Sequence, residues 1–283
     1  MKTIKIAGVP EHFNLPWQLC IESGEFEEIG IDLQWINVPE GTGKMCQMLR
    51  DNETDIAVIL TEGIVKDIVA GNDCSIVQVY VESPLIWGIH VAANSKYNAL
   101  DDLENTKVAI SRYGSGSHLM AYVNAQNQNW NTENLQFEIV NTIEGAVEAL
   151  TAGSADYFMW ERFMTKPLVD NGIFRRVADC PTPWPCFVIA VRNAFLEANK
   201  QSVALLLETI NNTTAEFRDI PSIDRTLASR YNLKLEDVIE WLSLTKWSQK
   251  PLVEKVLNNI QNQLFDLKII DKKGTFAKIV KAV

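Results

Sequence analysis

Along the first third of the chain, short apolar runs of strand period give way to runs of helical period and back again. "TIKIAGV" (3–9) alternates and stops at Pro10; the apolar positions of "LPWQLCIESGEFEEIG" recur at helical spacing and end at Gly30; "IDLQWINV" (31–38) alternates once more. This predicts a strand, a single helix and a strand. "GKMCQMLRDN" then reads as a helix opening at "EGTG", "DIAVIL" as a buried strand, "EGIVKDIVAG" as a third helix and "SIVQVYVES" as a further strand. Repeated β-α-β order predicts parallel strands with right-handed crossovers, an α/β architecture.

After "SPLIWGIHVAANS" (83–95) the pattern restarts. "LDDLENT" is a short helix or turn, "KVAISR" a strand, "SHLMAYVNAQNQN" a helix, "FEIVN" a strand, "IEGAVEALTAG" a helix capped by Gly153, and "ADYFMWE" a strand. Two similar runs predict two lobes, and no short-period repeat suggests a solenoid or propeller. Beyond the proline-rich passage "DCPTPWPCFVIAVRNAF" (179–195) the pattern is helical to the end. That region is expected to pack on the first lobe, so the chain crosses between lobes twice, near 84–92 and 182–192, where Pro and Gly punctuate the pattern. The lobes so defined are 1–88 with 190–283, and 89–189.

Composition narrows the partners. A hydrophobic share of 47% with 22% charged residues describes a folded globular chain. The formal net charge of -10 is spread without long like-charge blocks, which argues against nucleic acid and against anionic membrane surfaces, both of which require clustered Lys and Arg. No apolar run approaches the roughly 18 to 20 residues of a membrane helix, so no membrane insertion is expected. The N-terminus lacks an apolar leader, which places the chain as written in the cytoplasm, or in the periplasm if a leader has been removed. The five cysteines are odd in number and lie in apolar or helical contexts, which predicts free buried thiols.

Ligands of open α/β sheets lie beyond the carboxyl ends of the strands. The turns there are "VPEHFNLPW", "VPEGTGKM", "LTEG", "SRYGSGSH" and "WERF". In "SRYGSGSH", Gly114 and Gly116 permit close backbone approach, Ser115 and Ser117 offer hydroxyls, and the amides of a starting helix favour an anion. The plainer alternative is that a serine caps the helix and the glycines turn the chain. It is not a dinucleotide fingerprint, since Leu119 replaces the third glycine; "VPEGTGKM" is not a P-loop, since Val38 and Met45 occupy defining positions.

His12 and His118 lie on candidate ligand turns, whereas His90 lies within a strand. None has a second ligand at metal spacing, so neither a metal nor a cofactor is expected. Glu11, Glu62 and Glu161 each follow an apolar strand and would be aimed toward one cleft, although each alone suits an ordinary surface acid. Trp17, Trp87, Trp160 and Trp184 fall on or beside the same turns and crossings, where ligand stacking competes with core packing.

The segments "GVPEHFNLPWQLCIESGEFEEIGIDLQW", "LRDNETDIAVILTEG", "DLENTKVAISRYGSGSHLMAY" and "IEGAVEALTAGSADYFMWERF", with the two crossings, resemble substrate-binding proteins of the nitrate, sulfonate and taurine type. The resemblance runs in order over residues 3–195. It implies a type II periplasmic-binding-protein fold: two lobes, each a mixed β-sheet flanked by helices, joined by two crossover strands and closing on a small ligand. By position it implies a site at Glu11 and His12, the helix start at Thr42 and Gly43, Thr61 and Glu62, the turn from Ser115 through Gly116 and Ser117 to His118, and Glu161. Trp17 and Trp184 join these as candidate stacking residues. The chain is also similar in layout to thiamine pyrimidine precursor synthases, but without their cysteine-rich cluster.

Three functions follow as expectations. The first is a binding protein whose lobes close on an anionic or zwitterionic organic molecule, sulfonate-like or pyrimidine-like, with an ABC permease as partner if it serves transport. The second is an enzyme of thiamine pyrimidine precursor or related small-molecule metabolism, with His12 or a cysteine as reactant. The third is a ligand-sensing partner of another protein. A monomer or weak dimer is expected.

Overall fold

In the computed structural model, which describes residues 1–283, the alternation at the N-terminus is resolved by strand pairing. The strands are β1 (Lys2–Gly8), β2 (Ile31–Asn37), β3 (Ile56–Leu60), β4 (Cys74–Val81), β5 (Ile86–Ala92), β6 (Lys107–Ile110), β7 (Gln136–Ile139), β8 (Tyr157–Glu161), β9 (Phe174–Pro181) and β10 (Phe187–Arg192). They form two five-stranded sheets, ordered β2-β1-β3-β10-β4 and β7-β6-β8-β5-β9. In the first, β1 runs parallel to β2 and β3, and β10 is antiparallel to β3 and β4. The second repeats this plan, with β6 parallel to β7 and β8, and β5 antiparallel to β8 and β9. Both sheets are therefore mixed, the reversed strand in each being the one that follows a crossing.

The chain divides into two compact units, Met1–Ser83 with Trp184–Val283, and Pro84–Pro183. In the first unit, Ile4, Ile6, Val58, Ile59, Val188 and Ile189 are wholly buried in the sheet. Continuous apolar runs such as "IAVIL" suit strands covered on both faces. The second unit is built around Ala109, Ala146, Leu150, Phe158 and Phe174.

The helix expected over 15–30 is two helices, α1 (Leu15–Glu22) and α2 (Glu25–Glu28). Gly24 stands between them at φ 79, a left-handed conformation that glycine adopts without a Cβ clash. The next two, α3 (Thr42–Arg50) and α4 (Thr61–Val69), start at the tips that follow β2 and β3. In the second unit come α5 (Gly116–Asn127), α6 (Ile143–Ala152) and α7 (Lys166–Asp170). The Thr142 hydroxyl accepts from the Gly145 amide at the start of α6, and Gly153 at φ 72 closes it as expected.

Strand β9 had no clear signal: "FRRVADCP" carries charge at Arg175, Arg176 and Asp179 and is drawn into register by β5.

The C-terminal region is helical, as its pattern indicated: α8 (Asn193–Ala198), α9 (Lys200–Glu216), α10 (Ile223–Tyr231), α11 (Leu235–Leu244), α12 (Glu254–Asp266) and α13 (Phe276–Ile279). It belongs to the first unit, where α9 packs on α1 and α12 on α4. The segment between α11 and α12 covers the open edge of β4, with amide bonds from Val79 to the Lys250 carbonyl, Ser248 to Tyr80 and Glu82 to Lys246, at 2.8–2.9 Å. Covering an edge removes a template for unwanted strand pairing. All five cysteines are free and buried, and no helix is long and apolar enough to cross a membrane.

Candidate functional site

The tip after β1 is a 3₁₀ turn, His12–Asn14, entered at Glu11. His12 is 4% exposed and its Nε2 has no hydrogen-bond partner. Its ring stacks on Phe13 at 4.9 Å and meets the edges of Trp241 at 4.3 Å and Tyr231 at 6.1 Å. Burial among these rings lowers the His12 pKa to about 3, so the imidazole is neutral near pH 7. Glu11 keeps partial exposure, yet desolvation raises its pKa to about 7. Asn14 donates to the Val9 carbonyl at 2.9 Å and leaves Oδ1 unpartnered.

The neighbouring tip, after β3, opens α4 with Thr61 and Glu62. The Thr61 hydroxyl is committed to the 185–186 backbone, donating to the Pro185 carbonyl at 2.6 Å. Glu62 is 5% exposed, and its Oε2 accepts from Trp184 Nε1 at 2.8 Å. Burial raises its pKa to about 7, against the downward pull of its own amide and the Trp184 N–H. The two tips are joined by packing: Phe13 lies 5.3 Å from the ring of Phe187, which pairs with Leu60, the residue before Thr61.

Thr42, the first residue of α3, lies against the start of α4. A Cβ on Gly63 would stand 2.2 Å from Thr42 Cγ2, so glycine is what allows the two helix starts to touch. Gly43 is exposed on the first turn of α3. Trp17 is wholly buried in the core of the first unit, stacked on Phe26 and tilted against Trp35 and Tyr80, and its indole N–H has no hydrogen-bond partner.

In the second unit the "SRYGSGSH" turn is tied to itself. Ser115 caps α5, its hydroxyl accepting from the His118 amide at 3.3 Å, and the Ser117 hydroxyl accepts from the Ser111 amide at 2.9 Å and lies 3.1 Å from Ser115 Oγ. His118 Nδ1 accepts from the Gly114 amide at 3.1 Å, and its ring is enclosed by Tyr113, Tyr122 and Phe137. Gly116 has a packing role as well: a Cβ there would lie 2.9 Å from the Trp87 ring. Trp87 is 5% exposed with its indole N–H unpartnered. It pairs in register with Glu161, whose Oε2 accepts from the Met164 amide at 2.7 Å. The Gly116 and Ser117 amides open α5 beside this indole, a group of donors suited to a negative atom.

The structure thus gathers Glu11, His12, Thr61, Glu62 and Trp184 at the tips of one unit, and Ser115, Gly116, Ser117 and Glu161 around Trp87 in the other. Sequence reasoning missed Tyr231 and Trp241. They reach His12 from helices more than two hundred residues away, and an aromatic on an amphipathic helix carries no local sign of a site.

The two-sheet plan defines the periplasmic-binding-protein fold. Residues 87–180 match the family model of Ca3427-like periplasmic binding proteins. The structure is similar to the Candida albicans CA3427 gene product, at a TM-score of 0.89 and 24% identity over 99% of this chain and 96% of that one. It is also similar to the alkanesulfonate-binding protein SsuA of Xanthomonas axonopodis pv. citri, solved bound to MOPS, at 0.83 and 17% over 100% and 99% of the chains. The aliphatic sulphonate-binding SsuA of Escherichia coli matches at 0.79 and 18% over 99% and 92%. No curated protein matches by sequence.

Proposed function

We propose that the protein binds a small polar organic molecule without covalent chemistry, at its strand-tip turns, in transport or in sensing. The observation that carries this reading is the set of buried polar groups at those tips with unmet hydrogen bonds: His12 Nε2, Asn14 Oδ1 and the Trp87 indole. Buried polar atoms are ordinarily satisfied, so orphaned groups at the strand tips, where ligands of open α/β sheets lie, support a ligand-binding reading. The amides and indole around Ser115–Ser117 would receive an anionic group, and the tryptophans the body of the molecule. Transport is the reading under which an ABC permease would be the partner.

The enzyme alternative required His12 or a cysteine as reactant. His12 is too weakly basic to accept protons near neutral pH. Burial raises the thiols of Cys20 and Cys74 to about 12 and that of Cys180 to about 11, far from the thiolate a nucleophile needs.

The test is a melting-temperature screen against sulfonates, carboxylates and aminopyrimidines, followed by recovery of the bound molecule. A ligand that stabilises the fold and is recovered unchanged is the expected result. Recovery of a converted molecule would establish catalysis instead.

A further inference from the structure

The first unit carries two desolvated carboxylates at its strand tips, Glu11 and Glu62. Glu11 and Glu62 follow adjacent parallel strands; Glu11 precedes a turn whose Phe13 packs on Phe187, and Glu62 is bonded by the Trp184 indole. No lysine or arginine forms an ion pair with either carboxylate. The donors to Glu62 are an indole N–H and its own amide, both uncharged, so a nearly buried carboxylate lacks a counter-ion. A buried acid left this way is costly to ionise; it can hold its proton, and a bound cation is the partner that would favour its charged form.

A second, independent feature points the same way. His12, 4% exposed, presents an unpartnered ring nitrogen in the turn that Glu11 enters, and Tyr231, which packs on that imidazole, lies near enough to Glu11 for the carboxylate to raise its pKa. Phe13 and Trp241 are buried in this wall, while Tyr231, an aromatic ring that attracts a cation and suits a flat group, keeps partial exposure. A neutral imidazole adds a hydrogen-bonding nitrogen without adding positive charge.

From this juxtaposition we infer that the first unit recognises a positively charged nitrogen on a flat organic group, an amidinium or protonated heteroaromatic amine, with Glu62 as its counter-ion and Glu11 as a secondary contact. This rests on the binding function proposed above and specifies the charge of the ligand's portion held by this unit. An anion-only ligand would place negative charge against two carboxylates with no cation between them.

Three probes of one shape and different charge decide it: benzamidine, benzamide and benzenesulfonate, each followed by melting temperature and by titration calorimetry. Benzamidine is expected to stabilise the protein, while benzamide and benzenesulfonate leave it unmoved. Glu62→Gln keeps the shape and the Trp184 hydrogen bond but removes the charge, and should weaken benzamidine about tenfold or more; Glu11→Gln should weaken it less. Circular dichroism and the melting temperature without probe establish that both variants fold. A benzamidine response that survives Glu62→Gln, or an equal response to benzamide, overturns the inference. A response to benzenesulfonate alone overturns it while leaving the binding function standing. Silence with all three probes also overturns it, and the wider ligand screen then judges the binding function separately.

Discussion

The Ser115 turn of the second unit is finished by its own side chains, whereas the Glu11 turn of the first is not. Around Ser115 each hydroxyl has a donor or acceptor nearby: Ser115 caps the His118 amide, Ser117 takes the Ser111 amide, and His118 holds the Gly114 amide. Around Glu11 the reverse holds. His12 Nε2 and Asn14 Oδ1 lack partners, and the turn is kept in place by aromatic packing, the Asn14 amide bond to the Val9 carbonyl and the Tyr80 hydroxyl bond to the Phe13 carbonyl. A self-satisfied turn is rigid before a ligand arrives, while an unsatisfied one has more to gain from the ligand itself.

The largest expected effect breaks the contrast at Glu62. Its folded-state pKa of about 7 lies above the ordinary 4.5, so the folded protein holds this proton more tightly than the unfolded chain. Its contribution is therefore fully present below pH 4.5 and lost as pH rises through 7. Glu62→Gln should match the wild type near pH 4 and exceed it at pH 8, by at most about 3 kcal/mol, as measured by denaturant unfolding across pH. His12 acts with opposite sign: its pKa is depressed to about 3, so its stabilisation is present above 6.5 and lost as pH falls through 3. The difference between variant and wild type, taken at each pH, removes that opposing trend.

Gly116→Leu drives a side chain into the Trp87 ring. It should cost about 2 kcal/mol and abolish ligand-induced stabilisation, which a melting-temperature screen reads. A ligand response that persists would remove this turn from the site.

Ser117→Ala strips the acceptor from the buried Ser111 amide and should cost about 1.5 kcal/mol in urea unfolding. Ser115→Ala removes only a cap and should cost about 1 kcal/mol. If both were silent, the second turn would not be self-supporting and the contrast between the units would fail.

Much of this was legible beforehand. The strand period of "IDLQWINV" and the apolar run "IAVIL" located β2 and β3, and Gly153 marked the end of α6, because period and backbone conformation are local properties. The break at Gly24 was not read, since the helical spacing continues across it. Strand β9 was hidden by Arg175, Arg176 and Asp179, because an edge strand is set by its neighbour's hydrogen bonds as much as by its own residues. Among the site residues, Trp17 shows the limit: a tryptophan beside a promising turn looks the same in sequence whether it faces a ligand or, as here, the core.

The sequence alone determined most of the strands and helices, which turns follow strand tips, and that carboxylates and serines lie on those turns. Only the tertiary structure decided their chemistry. Whether an acid is an ordinary surface charge or a nearly buried group lacking a counter-ion depends on desolvation and on partners such as Trp184 and Tyr231 that arrive from distant parts of the chain. Period is written along the chain, but dielectric environment exists only once the chain has packed.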